Sequence, residues 1–215
     1  MELINIPTEQ STAVTDVILS LLSFVAAAWA CRYRQNDSFK IALWMAIFSL
    51  LGIAALLGAL IHGLVLSDTA SYWLEGGLSL MLGWLVAIFV VAVVYDLRGP
   101  IFAQKLLPWM LVVGFVFFVS RLVWPGSFLA FIIYQSVAMV FALGGYIKFA
   151  FDRGPGATWL TLGVLTSLFA AMVQGTQALS FTFLWPFDHN GVYHLIQMLS
   201  VILFGTGIHF SMVNN

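Results

Sequence analysis

The chain has 215 residues, 62% of them hydrophobic and 8% charged, where a soluble domain carries about 25% charge. Its mean hydropathy is +1.02, its net charge of -1 offers no basic face for nucleic acid, and its one cysteine, Cys31, has no partner for a disulfide or a thiolate metal site. A water-soluble enzyme, a disordered tail and a nucleic-acid binder are excluded, and a polytopic helical membrane protein is expected, one domain over residues 1–215 with no room for a second, soluble one.

The opening residues carry Glu2 and Glu9 and no base, so the first apolar run reads as a retained span rather than a secretory signal. A span needs about 20 apolar residues. Such runs fall at 13–31, 39–66, 71–95, 102–122, 127–150, 157–184 and 189–212. The breaks between them are the cluster 31–38, Ser67-Asp68, Asp96 to Pro100, Trp124-Pro125-Gly126, Asp152 to Gly156, and Trp185-Pro186. The expected fold is all-α, a bundle of seven transmembrane helices. Arg32, Arg34 and Lys40 in the loop between spans one and two, Arg98 and Lys105 in the loop after span three, and Lys148 and Arg153 in the loop after span five fall on one side, and Arg121 alone on the other. The positive-inside rule then puts the N-terminus outside and the C-terminus in the cytoplasm.

Ionisable residues inside a membrane are costly and therefore candidates for function. With this orientation Asp16, His62, Glu75, Ser79, Arg121, Gln135, Gln174, Gln177, His189, Asn190, His194 and Gln197 all fall in the outer half. Histidine is the commonest metal ligand, and a catalytic zinc holds three protein ligands and a water. The sharpest expectation is zinc on His62, His189 and His194, with Glu75 handling the proton of the bound water. Ser79 and Tyr193 are candidates to support an oxyanion. Asp16, Asn190 and Gln197 are candidates to orient the ligands.

Gly58-x-x-x-His62 on span two, Glu75 at the start of span three and the run from Asp188 to His194 on span seven resemble the pattern of the CREST superfamily. These are seven-span membrane hydrolases that include the alkaline ceramidases and the progestin and adiponectin receptors. Their pattern is Ser-x-x-x-His on span two, Asp on span three and His-x-x-x-His on span seven. Tyr193, an aromatic residue before the last histidine, also looks similar. Here Gly58 stands for the serine, Glu75 for the aspartate, and His189 or Asn190 for the first histidine of the pair. The resemblance implies zinc-dependent hydrolysis of a lipid amide or ester, with membrane lipids as substrate.

Two other readings stand beside it. A single haem between His62 and His194 is one. His209 lies 15 residues after His194, about 22 Å along a helix, with no second histidine at its depth. The other is a metal-free transporter or small-molecule receptor with a polar pocket lined by Gln135, Gln174, Gln177, Asn190 and Gln197. The short loops suggest a bacterial inner membrane.

Overall fold

The computed structural model describes residues 2–124 and 128–213. Among them, seven helices are long and apolar enough to cross a membrane: α1 (Pro7–Ala30), α2 (Ser38–Gly63), α3 (Asp68–Arg98), α4 (Pro100–Val123), α5 (Leu129–Phe151), α6 (Ala157–Thr176) and α7 (His189–Val213). The protein is an all-α seven-helix bundle and an integral, multi-pass membrane protein. The expected break at Pro125-Gly126 and the expected start of span five at 127 lie outside the described residues.

Local chemistry sets the helix ends. Pro7 and Pro100 open α1 and α4, where a missing N–H costs nothing. Asp37 caps α2 by accepting from the Lys40 N–H at 2.9 Å, and Ser67 caps α3 by accepting from Ala70 at 3.3 Å. Gly99, at φ 82°, turns the chain sharply from α3 into α4.

One expected span is too long. The run 157–184 contains a helix that stops at Thr176, where Gln177 turns left-handed at φ 53°. The chain then forms a short antiparallel hairpin, β1 (Phe181–Phe183) and β2 (Trp185–Phe187), with Phe181 stacked on Phe187. Hydropathy alone does not separate an apolar hairpin from the end of an apolar helix.

Six helices close a ring in the order α1, α2, α3, α5, α6, α7, and α4 packs on α3 outside it. At that contact Gly83 and Gly114 bring two backbones together. A Cβ on Gly83 would sit 2.6 Å from the Gly114 carbonyl oxygen. Trp44, Phe89 and Phe204 meet at 5.4–5.9 Å inside the ring. Val14, Leu21, Val25, Val116 and Trp109 face outward, as side chains solvated by lipid do.

α1 is built inside out relative to a soluble amphipathic helix. Its buried stripe holds Ser11, Thr12, Thr15, Asp16, Ser20 and Ser23 beside only three apolar residues, Leu19, Ala27 and Ala30. These small polar groups bond to backbone or to neighbouring helices, Ser20 for example to the Gly52 carbonyl at 2.8 Å. That lets α1 lie close to α2 and α7 and puts Asp16 inside the bundle.

Candidate functional site

A pocket of about 290 Å³ opens within the bundle at the end where α1 begins. Its polar lining is Asp16 from α1, His62 from α2, Glu75 and Ser79 from α3, Arg121 from α4, Gln174 from α6, and Asn190, Tyr193 and His194 from α7. Leu19, Leu51, Leu78, Leu82, Phe117 and Phe131 supply apolar wall. Of the polar groups expected at one depth these share a cavity, while Gln135, Gln177, His189 and Gln197 are not part of its lining. Phe117 stacks on Tyr134 at 4.6 Å, which ties α4 to the α5 side of the pocket.

Asp16 and His194 form the buried heart of this wall, 3% and 9% exposed. His194 Nε2 stands 3.2 Å from Asp16 Oδ1, and His194 Nδ1 stands 3.1 Å from Thr15 Oγ1. The Thr15 hydroxyl donates its one hydrogen to the Thr12 carbonyl at 2.8 Å. It is then an acceptor toward the ring, so Nδ1 carries the hydrogen that His194 donates to it. In a neutral ring this leaves the Nε2 lone pair facing a carboxyl oxygen. The contact is favourable only with a proton between the two, on the ring or on the acid. Asp16 and His194 thus form a close polar pair inside the spanning region and beside a cavity.

Gly58 explains how the carboxyl fits. A Cβ on residue 58 would sit 2.7 Å from Asp16 Oδ2. The Asp16 carboxyl from α1 occupies the space that a side chain at 58 would take. Where the CREST pattern has a serine hydroxyl on span two, this chain has an acid arriving from α1.

His62 is held differently. Its Nδ1 meets Glu9 Oε2 at 2.6 Å, which leaves Nε2 for the pocket. His189 opens α7 but is not part of the pocket lining, so the three histidines are not brought together. Among the described residues no group of three His, Cys, Asp or Glu side chains is placed to hold a metal ion. The zinc set His62, His189 and His194 does not fit this arrangement, because His194 has a neighbour on each ring nitrogen and His189 lies outside the cavity. The same engagement opposes a haem ligated by His62 and His194. His209 is bonded through Nδ1 to the Tyr33 hydroxyl at 2.6 Å. Glu75 and Ser79 line the pocket, and the Tyr193 hydroxyl is hydrogen-bonded to Gln135. Gln197 lies beyond the pocket, 3.5 Å from Ser167.

An amide relay borders the cavity. Asp188 Oδ1 caps α7 by accepting from the backbone N–H groups of Asn190 and Gly191, both at 3.0 Å, and also accepts from Thr12. Asp188 Oδ2 accepts from Asn190 Nδ2 at 3.1 Å, and Asn190 Oδ1 accepts from Gln174 Nε2 at 2.6 Å. Thr12, Thr15 and Glu9 were not singled out from sequence. The 3–4 residue spacing of polar groups along α1 was the signal that points to the two threonines.

The other end of the bundle holds a second buried cluster that the sequence reading placed in loops. Lys40 Nζ meets Asp96 Oδ1 at 2.6 Å with both side chains almost fully buried. Tyr146 donates to Asp96 Oδ2 at 3.2 Å, and Tyr95 donates to Asp37. Lys40 therefore lies within α2 and not in a basic loop, and Asp96 does not simply terminate α3.

The chain matches, over residues 11–212, a family described as a family of unknown function (DUF6962), and it belongs to that family. No curated protein and no solved structure matches it.

Proposed function

We propose that this protein binds a small polar molecule or a lipid headgroup in a membrane-embedded pocket, as a transporter or receptor does. The observation that carries the reading is the Asp16–His194 pair, which lies buried inside the spanning region and lines a cavity. Buried ionisable groups that face a cavity in a membrane bundle mark ligand and proton pathways. A cavity of about 290 Å³ suits a headgroup-sized ligand, and its apolar walls suit a short chain or ring. The arrangement of basic residues puts this pocket in the outer half, with the N-terminus outside, and short loops favour a bacterial inner membrane.

The test is a thermal-shift screen of the purified full chain against small polar molecules and lipid headgroups, with Ser79→Phe beside it. Ser79 lines the pocket at an incompletely buried position, so a ring there fills the cavity. Ligands that raise Tm in the native chain are expected to lose their effect in Ser79→Phe, while its ligand-free Tm stays close to native. A shift that survives Ser79→Phe unchanged would place the ligand elsewhere and end this reading.

One observation favours the CREST-like hydrolase as a second reading. Glu9 holds His62 through Nδ1, the way carboxylates orient ligand histidines, and frees Nε2. That reading needs further donors to move in beside His62, since among the described residues no three His, Cys, Asp or Glu side chains are grouped to hold a metal ion. Metal content of protein never exposed to chelator decides it: about one zinc per chain, lost in His62→Ala and His194→Ala, is what a catalytic site demands.

A further inference from the structure

The hairpin between α6 and α7 is one-sided. Its register pairs Phe181 with Phe187, Thr182 with Pro186, and Phe183 with Trp185. Side chains alternate along a strand, and directly paired residues share a face. Four aromatic rings therefore stand on one face, and Thr182 and Pro186 on the other. Phe181 stacks on Phe187 at 5.1 Å, and a Cβ on Gly191 would sit 3.1 Å from the Phe187 ring. The aromatic face thus starts against the first turn of α7 and widens away from it to Phe183 and Trp185, which are exposed. An isolated two-stranded hairpin is marginal in water, and the bundle leaves Phe181, Phe183 and Trp185 uncovered.

The turn carries the same signal. The chain reverses at Leu184, whose φ is 59° and whose side chain is 95% exposed. A left-handed φ at a tip in water is the place for glycine or asparagine. A large apolar residue is disfavoured there twice, by backbone strain and by hydration. An apolar medium around the tip removes the second penalty. No residue from Gln177 to Phe187 is charged.

The hairpin also sits beside the spanning helices and not beyond them. Ser11 Oγ lies 2.7 Å from the Pro186 carbonyl oxygen, and Ser11 stands four residues, about 6 Å, into α1. On α7, Leu195, Leu199 and Ile202 follow Gly191 down one face, and all three are exposed as lipid-facing side chains are. The aromatic face of the hairpin continues that stripe. Each strand has one neighbour, so the outer edges keep unpaired N–H and C=O groups, which the hydrocarbon core does not tolerate. The side chains require an apolar medium and the backbone requires water. Both are met at the boundary between acyl chains and headgroups, where tryptophan is enriched.

We propose that this hairpin is a membrane-surface anchor, with its aromatic face and Leu184 seated in the lipid interface of the leaflet at the end where α1 begins. Its partner is the lipid itself. The inference does not depend on what the pocket binds.

The test is spin labelling of the purified full chain in phosphatidylcholine nanodiscs. Cys31→Ser removes the one native cysteine, and single nitroxides are attached through Leu184→Cys or Phe183→Cys. Val116→Cys, on the lipid-facing side of α4, and Asp152→Cys, exposed at the opposite end of the bundle, are the references for lipid and for water. Power saturation compares collision with oxygen, which concentrates in lipid, and with a water-soluble nickel chelate. Labels at 184 and 183 are expected to meet oxygen as the one at 116 does, and the chelate at least about threefold less than the one at 152. Should one of the two variants not fold, the other carries the test. Labels that meet the chelate as freely as Asp152→Cys put the hairpin in water and overturn the inference. Labels shielded from both reagents mean that protein covers the face, a second copy or another chain, and overturn it as well.

Discussion

At the end of the bundle where α2 begins, Asp96 is closed off on every side. Lys40 meets one of its oxygens at 2.6 Å, Tyr146 the other at 3.2 Å, and Asp37 caps the same turn of α2 while accepting from Tyr95. At the opposite end Asp16 is equally buried, but it faces a histidine rather than a permanent cation, one oxygen has no partner, and a cavity lies beside it. Both are acids inside an apolar bundle. One has been turned into a clasp between α2, α3 and α5, and the other has been left incomplete beside a cavity. In a membrane interior, a fully satisfied charge reads as structure and an unsatisfied one beside a cavity reads as function.

The comparison breaks first at the clasp. Removing one partner of a buried ion pair leaves a bare charge and costs about 3–5 kcal/mol, whereas replacing both with apolar groups is close to neutral. Lys40→Met alone is therefore expected to lose most of the stability in that range, and Lys40→Met with Asp96→Leu to recover most of it. Reversible unfolding in mixed micelles of rising SDS content measures both. If the single and double variants unfold alike, the clasp is not an energetic unit.

The two ends were not equally legible in the sequence. Seven spans, their order and the shared depth of Asp16, His62, Glu75 and His194 followed from hydropathy and basic-residue placement, because those features are local in the chain. Lys40 and Asp96 were read as loop charges, since each stands within a few residues of a genuine helix end and nothing local shows that they meet across 56 positions. Gly58 stands at the place where the resemblance has a serine. Its meaning, room for a carboxyl from another helix, depends on the α1–α2 approach and is not written at residue 58. His189 and His194 were close in sequence, yet the start of α7 at His189 leaves the first histidine outside the cavity that the second one lines. The hairpin after α6 was hidden because Phe181, Phe183, Leu184 and Trp185 have the hydropathy of a span.

Gly58 sharpens the contrast at the pocket end. Gly58→Ala puts a methyl group 2.7 Å from Asp16 Oδ2, so either the carboxyl or α1 must shift. Overpacking of this kind costs about 1–3 kcal/mol. In an Asp16→Ala background the space is vacant, and the same substitution is expected to cost almost nothing. The coupling between the two sites, read from the four unfolding free energies, is the measurement. Additive effects would mean that Gly58 serves some purpose other than admitting this carboxyl.

The smallest effect on stability is expected at Asp16 itself. Asn at position 16 keeps the size of the side chain. Its Nδ2 can donate to the His194 Nε2 lone pair, because Thr15 already receives the hydrogen on Nδ1. Its Oδ1 then takes the place of Oδ2 against Gly58, and no proton is needed between the two residues. Asp16→Asn should accordingly unfold within about 1 kcal/mol of the native chain, or be slightly more stable, as replacement of a functional charge often is. A loss as large as that of Lys40→Met would mean that Asp16 is a second clasp, satisfied by a partner in the folded protein, and the distinction between the two ends of the bundle would fall.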